Sequence, residues 1–98
     1  LQVLVQKKFK TTPQYLQINY DADTGYDMGV FICLGAAIHE FEISDSINFN
    51  VFGNFDQIQK YLNDNSKCLI YLSSSCHKIK KKAEQAACKS AYEILIVA

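Results

Sequence analysis

The segment from Lys78 to Tyr92 constrains the fold most, because a run of lysines leads directly into a helix with a stripe of small residues. Small and apolar side chains recur at helical spacing on one face: Ala83, Ala86, Ala87, Ser90, Ala91, Ile94 and Leu95. Such a face lets a helix lie close against a sheet. The lysine cluster (Lys78, Lys80, Lys81 and Lys82) stands at the N-terminal end, where the helix dipole favours anions over cations. The lysine cluster therefore has two interpretations: it binds a polyanion, or it is an ordinary solvated helix face.

Periodicity along the rest of the chain predicts a helix, three antiparallel strands and a final helix. The apolar stripe of the first helix is formed by Leu1, Leu4, Val5 and Phe9. This helix ends before Pro13, because the residue before a proline is pushed out of the helical region. Three segments predict strands: residues 15–20, 30–34 and 68–72. Residues 21–27 form a turn around Gly25, and the serines at 73–75 lead into the final helix.

The segment from about residue 36 to residue 66 carries structural signals of its own. Alternation through Ile47, Phe49 and Val51 indicates a strand. Asn54 and Gln57 form a capping box that opens a helix, whose inward side chains are Phe55, Ile58 and Leu62. We place this strand/helix insertion between the second and third strands. Alternatively, residues 38–43 form the third strand and the insertion follows it.

Composition indicates a single domain. The chain of 98 residues is 49% hydrophobic, which is enough for one core spanning residues 1–98. It begins at Leu1 without a methionine, so we expect a piece of a longer protein. No apolar run approaches the roughly 18 residues of a membrane span, and the first residues lack the apolar core typical of a signal peptide. We therefore expect a soluble intracellular domain, nuclear or cytoplasmic, with no membrane partner.

The charges are unevenly distributed although their sum is zero. Between Asp21 and Asp64 there are eight acidic residues and one base, Lys60. The other nine lysines lie outside this stretch, and a fold that joins the two ends would bring Lys7, Lys8 and Lys10 to the lysine cluster. The chain has no arginine, and lysine lacks the bidentate fork that reads base edges. The pattern therefore favours contact with a nucleic-acid backbone rather than with its sequence.

The cysteines give only a weak metal signal. Cys33, Cys68, Cys76 and Cys88 form no Cys-x-x-Cys pair, and the two histidines are His39 and His77. A zinc site built from Cys68, Cys76 and a histidine, with Cys33 or a residue beyond the C-terminus as fourth ligand, remains an alternative to buried, reduced thiols. We predict no disulfide and no metal ligand.

Three segments resemble the double-stranded RNA-binding domain. Lys80-Lys-Lys-Ala-Glu-Gln-Ala-Ala87 resembles its second helix, in the form found at the C-terminus of ribonuclease III enzymes. Residues 1–16 are similar to its first helix, proline loop and the tyrosine that opens strand one, and residues 30–35 to its second strand. The spacing between Tyr15 and this second-strand segment is similar to that of fungal ribonuclease III and Dicer relatives. The resemblance implies an α-β-β-β-α fold with a three-stranded antiparallel sheet and two helices on one face, plus the insertion.

The resemblance also implies where RNA is bound. Gln2 and Gln6 of the first helix would contact 2′-hydroxyls. The position next to Gln2 is often acidic in the family but is Val3 here, which weakens that contact. Lys80 and Lys81 match the phosphate-clamping lysines, with Lys78 and Lys82 as further candidates. The loop at 21–27 would enter the next minor groove, yet it lacks the family's Gly-Pro and histidine and carries three acids. We expect the aromatic residues Tyr15, Tyr20, Tyr26, Phe31 and Tyr71 to pack in the sheet rather than stack on bases.

The sequence thus predicts a non-catalytic module. It holds no carboxylate cluster at metal-binding spacing, no activated nucleophile and no phosphate-cradling glycine loop. The resemblance implies a domain that holds duplex RNA for a ribonuclease III or Dicer-like endoribonuclease, in gene silencing or RNA processing, with magnesium only in the parent nuclease domain. The alternative is a protein-interaction or localisation module of the same fold, with or without a stabilising zinc ion, and with a protein partner on the insertion.

Overall fold

Helices and strands follow one another in the order of an α+β fold. The computed structural model describes residues 2–97, except for the side chains of Gln2 and Lys8. The helices are α1 (Gln2–Phe9), α2 (Phe49–Phe52), α3 (Phe55–Asp64) and α4 (Lys80–Ile96). The strands are β1 (Gln14–Asp21), β2 (Gly25–Leu34), β3 (Ile47–Asn48) and β4 (Cys68–His77). The predicted strand at 68–72, directly before the final helix, is confirmed, and it extends five residues further, to His77. The alternative strand at 38–43 is wrong, because that segment forms two 3-10 turns, Ile38–Glu40 and Ile43–Asp45.

The sheet is mixed and has four strands in the order β1-β2-β4-β3. Three of them pair antiparallel, as predicted, and the two-residue β3 adds a parallel strand against Ile70 and Tyr71. β4 continues through the serines at 73–75, which the sequence placed between the strand and the final helix, because these side chains find partners within the fold. Ser73 donates from Oγ to the carbonyl of Ala87 at 2.6 Å, and the hydroxyls of Ser74 and Tyr71 lie 2.8 Å apart.

The helices cover one side of the sheet, called the helix side below. The core on this side includes Val5, Phe9, Val30, Ile32, Ile70, Leu72, Ala87, Ala91 and Leu95. α4 buries a narrower stripe than predicted, consisting of Ala83, Ala87, Ala91 and Leu95 at four-residue spacing. Ala86 and Ser90 are exposed, because only one row of side chains meets the sheet when the helix lies this close.

We expect Ser73→Ala to lower the free energy of unfolding by about 1 kcal/mol, since a buried hydroxyl donor and its bond to α4 are lost. Urea unfolding followed by circular dichroism measures this change. Ser90→Ala is the matched control, because Ser90 is exposed on α4 and its replacement changes stability by at most about 0.5 kcal/mol. Equal effects of the two variants would contradict a structural role for the Ser73 bond.

The insertion contributes to the same core. Ile58 of α3 is fully buried and Phe49 nearly so, among residues of β2, β4 and α4. Asn54 accepts from the backbone N–H of Gln57 at 3.0 Å, which confirms the predicted start of α3. The predicted strand at 47–51 is wrong beyond Asn48, whose side chain accepts from Asn50 N at 2.9 Å and starts α2 instead. The insertion is therefore part of the fold rather than an appendage.

The first part of the insertion covers the far side of the sheet. Ile38 and Phe41 pack on a second cluster formed by Phe31, Cys33 and Leu69. Lys67 fixes this cover, because its Nζ donates to the carbonyl of Glu40 at 3.1 Å and lies 5.2 Å from the centre of the Phe41 ring. Both sides of β2 are consequently buried. None of the described helices is both long and apolar enough to cross a bilayer.

Candidate nucleic-acid interface

The lysine cluster occupies the turn from β4 into α4. Lys80, Lys81 and Lys82 are the first three residues of the helix, and all four lysines of the cluster are exposed. The N-cap residue Ile79 has no side-chain cap bond, and the first turn contains no acidic residue. Early backbone N–H groups therefore point outward beside the lysines, an arrangement that binds phosphate oxygens.

His77 holds this turn in place. Its Nδ1 accepts from the backbone N–H of Ile79 at 2.9 Å. This bond needs a ring whose Nδ1 carries no proton. At the other end of the first turn, Ala83 N donates to the carbonyl of Ile79 at 3.1 Å, which begins the helix. The fold thus presents the lysine cluster from a defined helix start.

The β1–β2 hairpin ends against the same turn. Gly25 has φ +93°, and a Cβ built there would lie 2.4 Å from the carbonyl oxygen of His77 and 2.5 Å from the Cα of Lys78. Asp21 Oδ1 accepts from Asp23 N at 2.7 Å in the exposed turn between the strands. The structure therefore brings the loop predicted for the minor groove next to the lysine cluster, with its acidic side chains at the tip.

We expect Gly25→Ala to destabilise the domain by about 2 to 4 kcal/mol, because a left-handed backbone and a backbone collision act together. Gly53→Ala is the matched control. Gly53 also has a positive φ, +79°, but a Cβ there meets nothing within 4 Å, so we expect only about 1 kcal/mol. Thermal unfolding of both variants measures the difference, and equal losses would contradict the close approach to His77.

The residues of α1 are only partly placed at this site. Gln6 is exposed, as its predicted contact requires, whereas the side chain of Gln2 lies outside the described residues. Phe9 packs on Phe55 with ring centres 5.2 Å apart. Lys7 and Lys10, on either side of Phe9, are exposed, whereas the side chain of Lys8 lies outside the described residues. A single basic face that joins these lysines to the lysine cluster therefore stays a prediction.

A groove between β1 and α4 borders the lysine cluster. Its volume is about 300 Å³, and the residues that line it are Tyr15, Lys81, Glu84, Gln85 and Cys88. The Tyr15 hydroxyl donates to Cys88 Sγ at 3.6 Å. Burial, this bond and the charges of Cys88 and Glu84 raise the pKa of Tyr15 to about 12. Tyr15 is nevertheless 39% exposed, because β1 is an edge strand, which local periodicity did not reveal.

The raised pKa of Tyr15 predicts a loss of stability in alkaline solution. An unfolded tyrosine ionises near pH 10, whereas Tyr15 in the folded chain stays neutral up to a pKa of about 12. Its stabilisation is complete below pH 10 and is lost as the pH rises through 12. We therefore expect the difference in unfolding free energy between the wild type and Tyr15→Phe to change across this range, measured in urea. A difference independent of pH would contradict the assignment.

The cysteines are held apart. Cys68 and Cys76 lie eight positions apart on β4, about 26 Å, too far to bind one metal ion. Cys33 and Cys68 lie on the paired strands β2 and β4, but their side chains point to opposite sides of the sheet. Cys33 belongs to the far-side cluster and Cys68 to the helix-side core, so the two thiols do not meet. All four thiols are free, and burial raises the pKa of Cys68 to about 11. The described residues include no group of three or more side chains suited to a metal.

Comparisons with protein-family models, with curated proteins and with solved structures give no match for this chain. Three structural features of the chain bear on its function: the exposed lysines at an uncapped helix start, the hairpin packed beside them, and the tyrosine-lined groove next to Lys81.

Proposed function

We propose that this chain is a non-catalytic double-stranded RNA-binding domain of a ribonuclease III or Dicer-like endoribonuclease. The observation that carries the proposal is the lysine cluster at the start of α4, next to the end of the β1–β2 hairpin. Cations at this end of a helix repel one another and oppose the helix dipole, which costs stability unless a polyanion compensates. The α+β order of helix, three antiparallel strands and helix supports the same proposal.

In this proposal the duplex lies across the lysine cluster. Lys80 and Lys81, helped by Lys78 and Lys82, bind phosphates on both sides of the narrow major groove of A-form RNA. Gln6, with Gln2, reaches 2′-hydroxyls in one minor groove, and the hairpin turn approaches the next. The acids Asp21 and Asp23 reduce the contribution of that turn. The domain itself performs no chemistry, and magnesium belongs to the nuclease domain of the parent protein.

A titration of the domain with three nucleic acids tests the proposal. The ligands are an RNA duplex of about 20 base pairs, a DNA duplex of the same sequence and a single RNA strand, each at two salt concentrations. We expect salt-sensitive binding that is strongest for duplex RNA. A domain that recognises the shape of A-form RNA contacts 2′-hydroxyls across its minor groove, and a DNA duplex has none. Negligible binding to all three, or equal binding to both duplexes, would refute the proposal.

A protein-interaction module is the second candidate, and the acidic surface favours it. Asp21 and Asp23 are exposed at the hairpin turn, where a minor-groove contact is expected to be neutral or basic. The insertion also exposes Val51, at 74%, on the surface of α2. Capture of a protein partner by the wild type and its loss in Val51→Asp, together with no RNA binding, would establish this second function.

A further inference from the structure

The groove between β1 and α4 is open, aromatic and adjacent to Lys81. We propose that it binds unpaired nucleotides that extend from the RNA duplex, with a base stacked on Tyr15 and the strand continuing past Tyr20. This inference rests on the proposed function, because the duplex held by the lysine cluster would deliver the single strand to the groove. The RNA bound by the domain is then a duplex with a single-stranded extension.

The tyrosines share one side of the sheet. Tyr15 pairs with Val30, whose side chain lies in the helix-side core, and its hydroxyl reaches Cys88 on α4. Tyr20 pairs with Tyr26, and their ring centres are 4.8 Å apart. Tyr26 precedes Val30 by four positions on β2, so it points to the same side. The tyrosines on β1 therefore form a track along the edge of the sheet beside α4.

This track remains accessible in the folded domain. Tyr15 is 39% exposed and Tyr20 is 55% exposed, because β1 is an edge strand of the sheet. The partly exposed ring of Tyr15 provides a stacking surface beside the groove. The groove volume of about 300 Å³ is at the lower limit of the volumes of ligand sites.

The walls of the groove combine an aromatic ring with polar side chains that suit a nucleotide. Lys81 is one of the lining residues, and its ammonium group complements a phosphate of the strand. Glu84 and Gln85 line the same groove and offer acceptors and a donor, with which the amino and carbonyl groups of a base can pair. Bases inside an intact duplex have no free faces, so the aromatic track is useful only for unpaired nucleotides.

The test compares two RNA duplexes of about 20 base pairs, one blunt and one with an unpaired 3′ extension of about four nucleotides. We expect the wild type to bind the extended duplex at least about 5-fold more tightly, the effect of one stacked base. Tyr15→Ala and Tyr20→Ala should remove this advantage while leaving the affinity for the blunt duplex unchanged. Equal affinity of the wild type for the two duplexes would overturn this inference and leave the proposed function standing. No salt-sensitive binding to either duplex would refute both.

Ile18→Ala is the matched control for the tyrosine variants. Ile18 is on the same edge strand and is 37% exposed, but it packs over Gly29 and Phe31 on the far side of the sheet. This variant should keep the full preference for the extension. A second measurement needs no variant: an extension with 5-iodouridine, irradiated in complex with the wild type, should crosslink to the peptide that contains Tyr15 or Tyr20. Crosslinks found only elsewhere on the chain would also overturn the inference.

Discussion

Replacing Lys80 and Lys81 together with alanine should weaken duplex RNA binding by about 100-fold at moderate salt, since two phosphate contacts are lost. The slope of log affinity against log salt should fall by about 2, one for each lysine. Stability should not fall, because removing two cations from the start of a helix relieves repulsion from the dipole and gains a few tenths of a kcal/mol. Fluorescence anisotropy at several salt concentrations, with thermal unfolding in parallel, measures both effects.

The matched control for this variant is Lys60→Ala/Lys89→Ala. Both lysines are exposed, one on α3 and the other well along α4, and the change in net charge is identical. We expect an affinity loss of less than about 3-fold, the long-range effect of charge alone, since screening removes most of it beyond about 10 Å. Similar losses in the two double variants would show that net charge, and not the lysine cluster, governs binding.

Truncating Ile58 to alanine should destabilise the domain by about 2 to 5 kcal/mol, because a fully buried side chain leaves a cavity in the main core. Many domains of this size have a total stability of only about 5 to 15 kcal/mol, so the variant loses a large part of it. Urea unfolding followed by circular dichroism measures the change. Val51→Ala, on the exposed face of α2, is the control and should alter stability by less than about 0.5 kcal/mol.

The same packing predicts that the insertion cannot be removed. Replacing residues 36–66 with a short turn would uncover Val5, Phe9 and Ile70 on the helix side, and Phe31 and Leu69 on the far side. We expect the shortened chain to be unfolded. If it gave a cooperative transition and the helix content of α1 and α4, the insertion would be an accessory unit, and the role of Ile58 described above would be wrong.

This packing links the insertion to the proposed interface. Phe55 of α3 contacts the ring of Phe9, so the insertion supports the C-terminal end of α1, the helix that carries Gln6. α1 has only eight residues, too few for a helix to persist without tertiary contacts. A partner bound to the insertion would therefore act on the position of α1 as well, which connects the two candidate functions through one structural element.

Local patterns in the sequence predicted several elements because their determinants lie within a few residues of one another. α4 follows from the small-residue stripe, and α3 from the Asn54 cap with Ile58 one turn later. The break at Pro13 and the turn at Gly25 are set by backbone restrictions of single residues. The apolar run that begins at Cys68 placed the third strand correctly, since its side chains are buried on both sides.

For the proposed interface, the sequence determined which chemistry the chain can offer: lysines at a helix start, glutamines on α1 and acids in the hairpin turn. Only the tertiary structure decided what these groups are next to. The serines of β4 are ordered by pairing with β2 and by contact with α4, and Ile38 and Phe41 become partly buried against the side of the sheet that they cover. Tyr15 and Tyr20 stay open because β1 lies at the edge of the sheet. These features depend on contacts between residues far apart in the chain, whose free energy no local pattern contains.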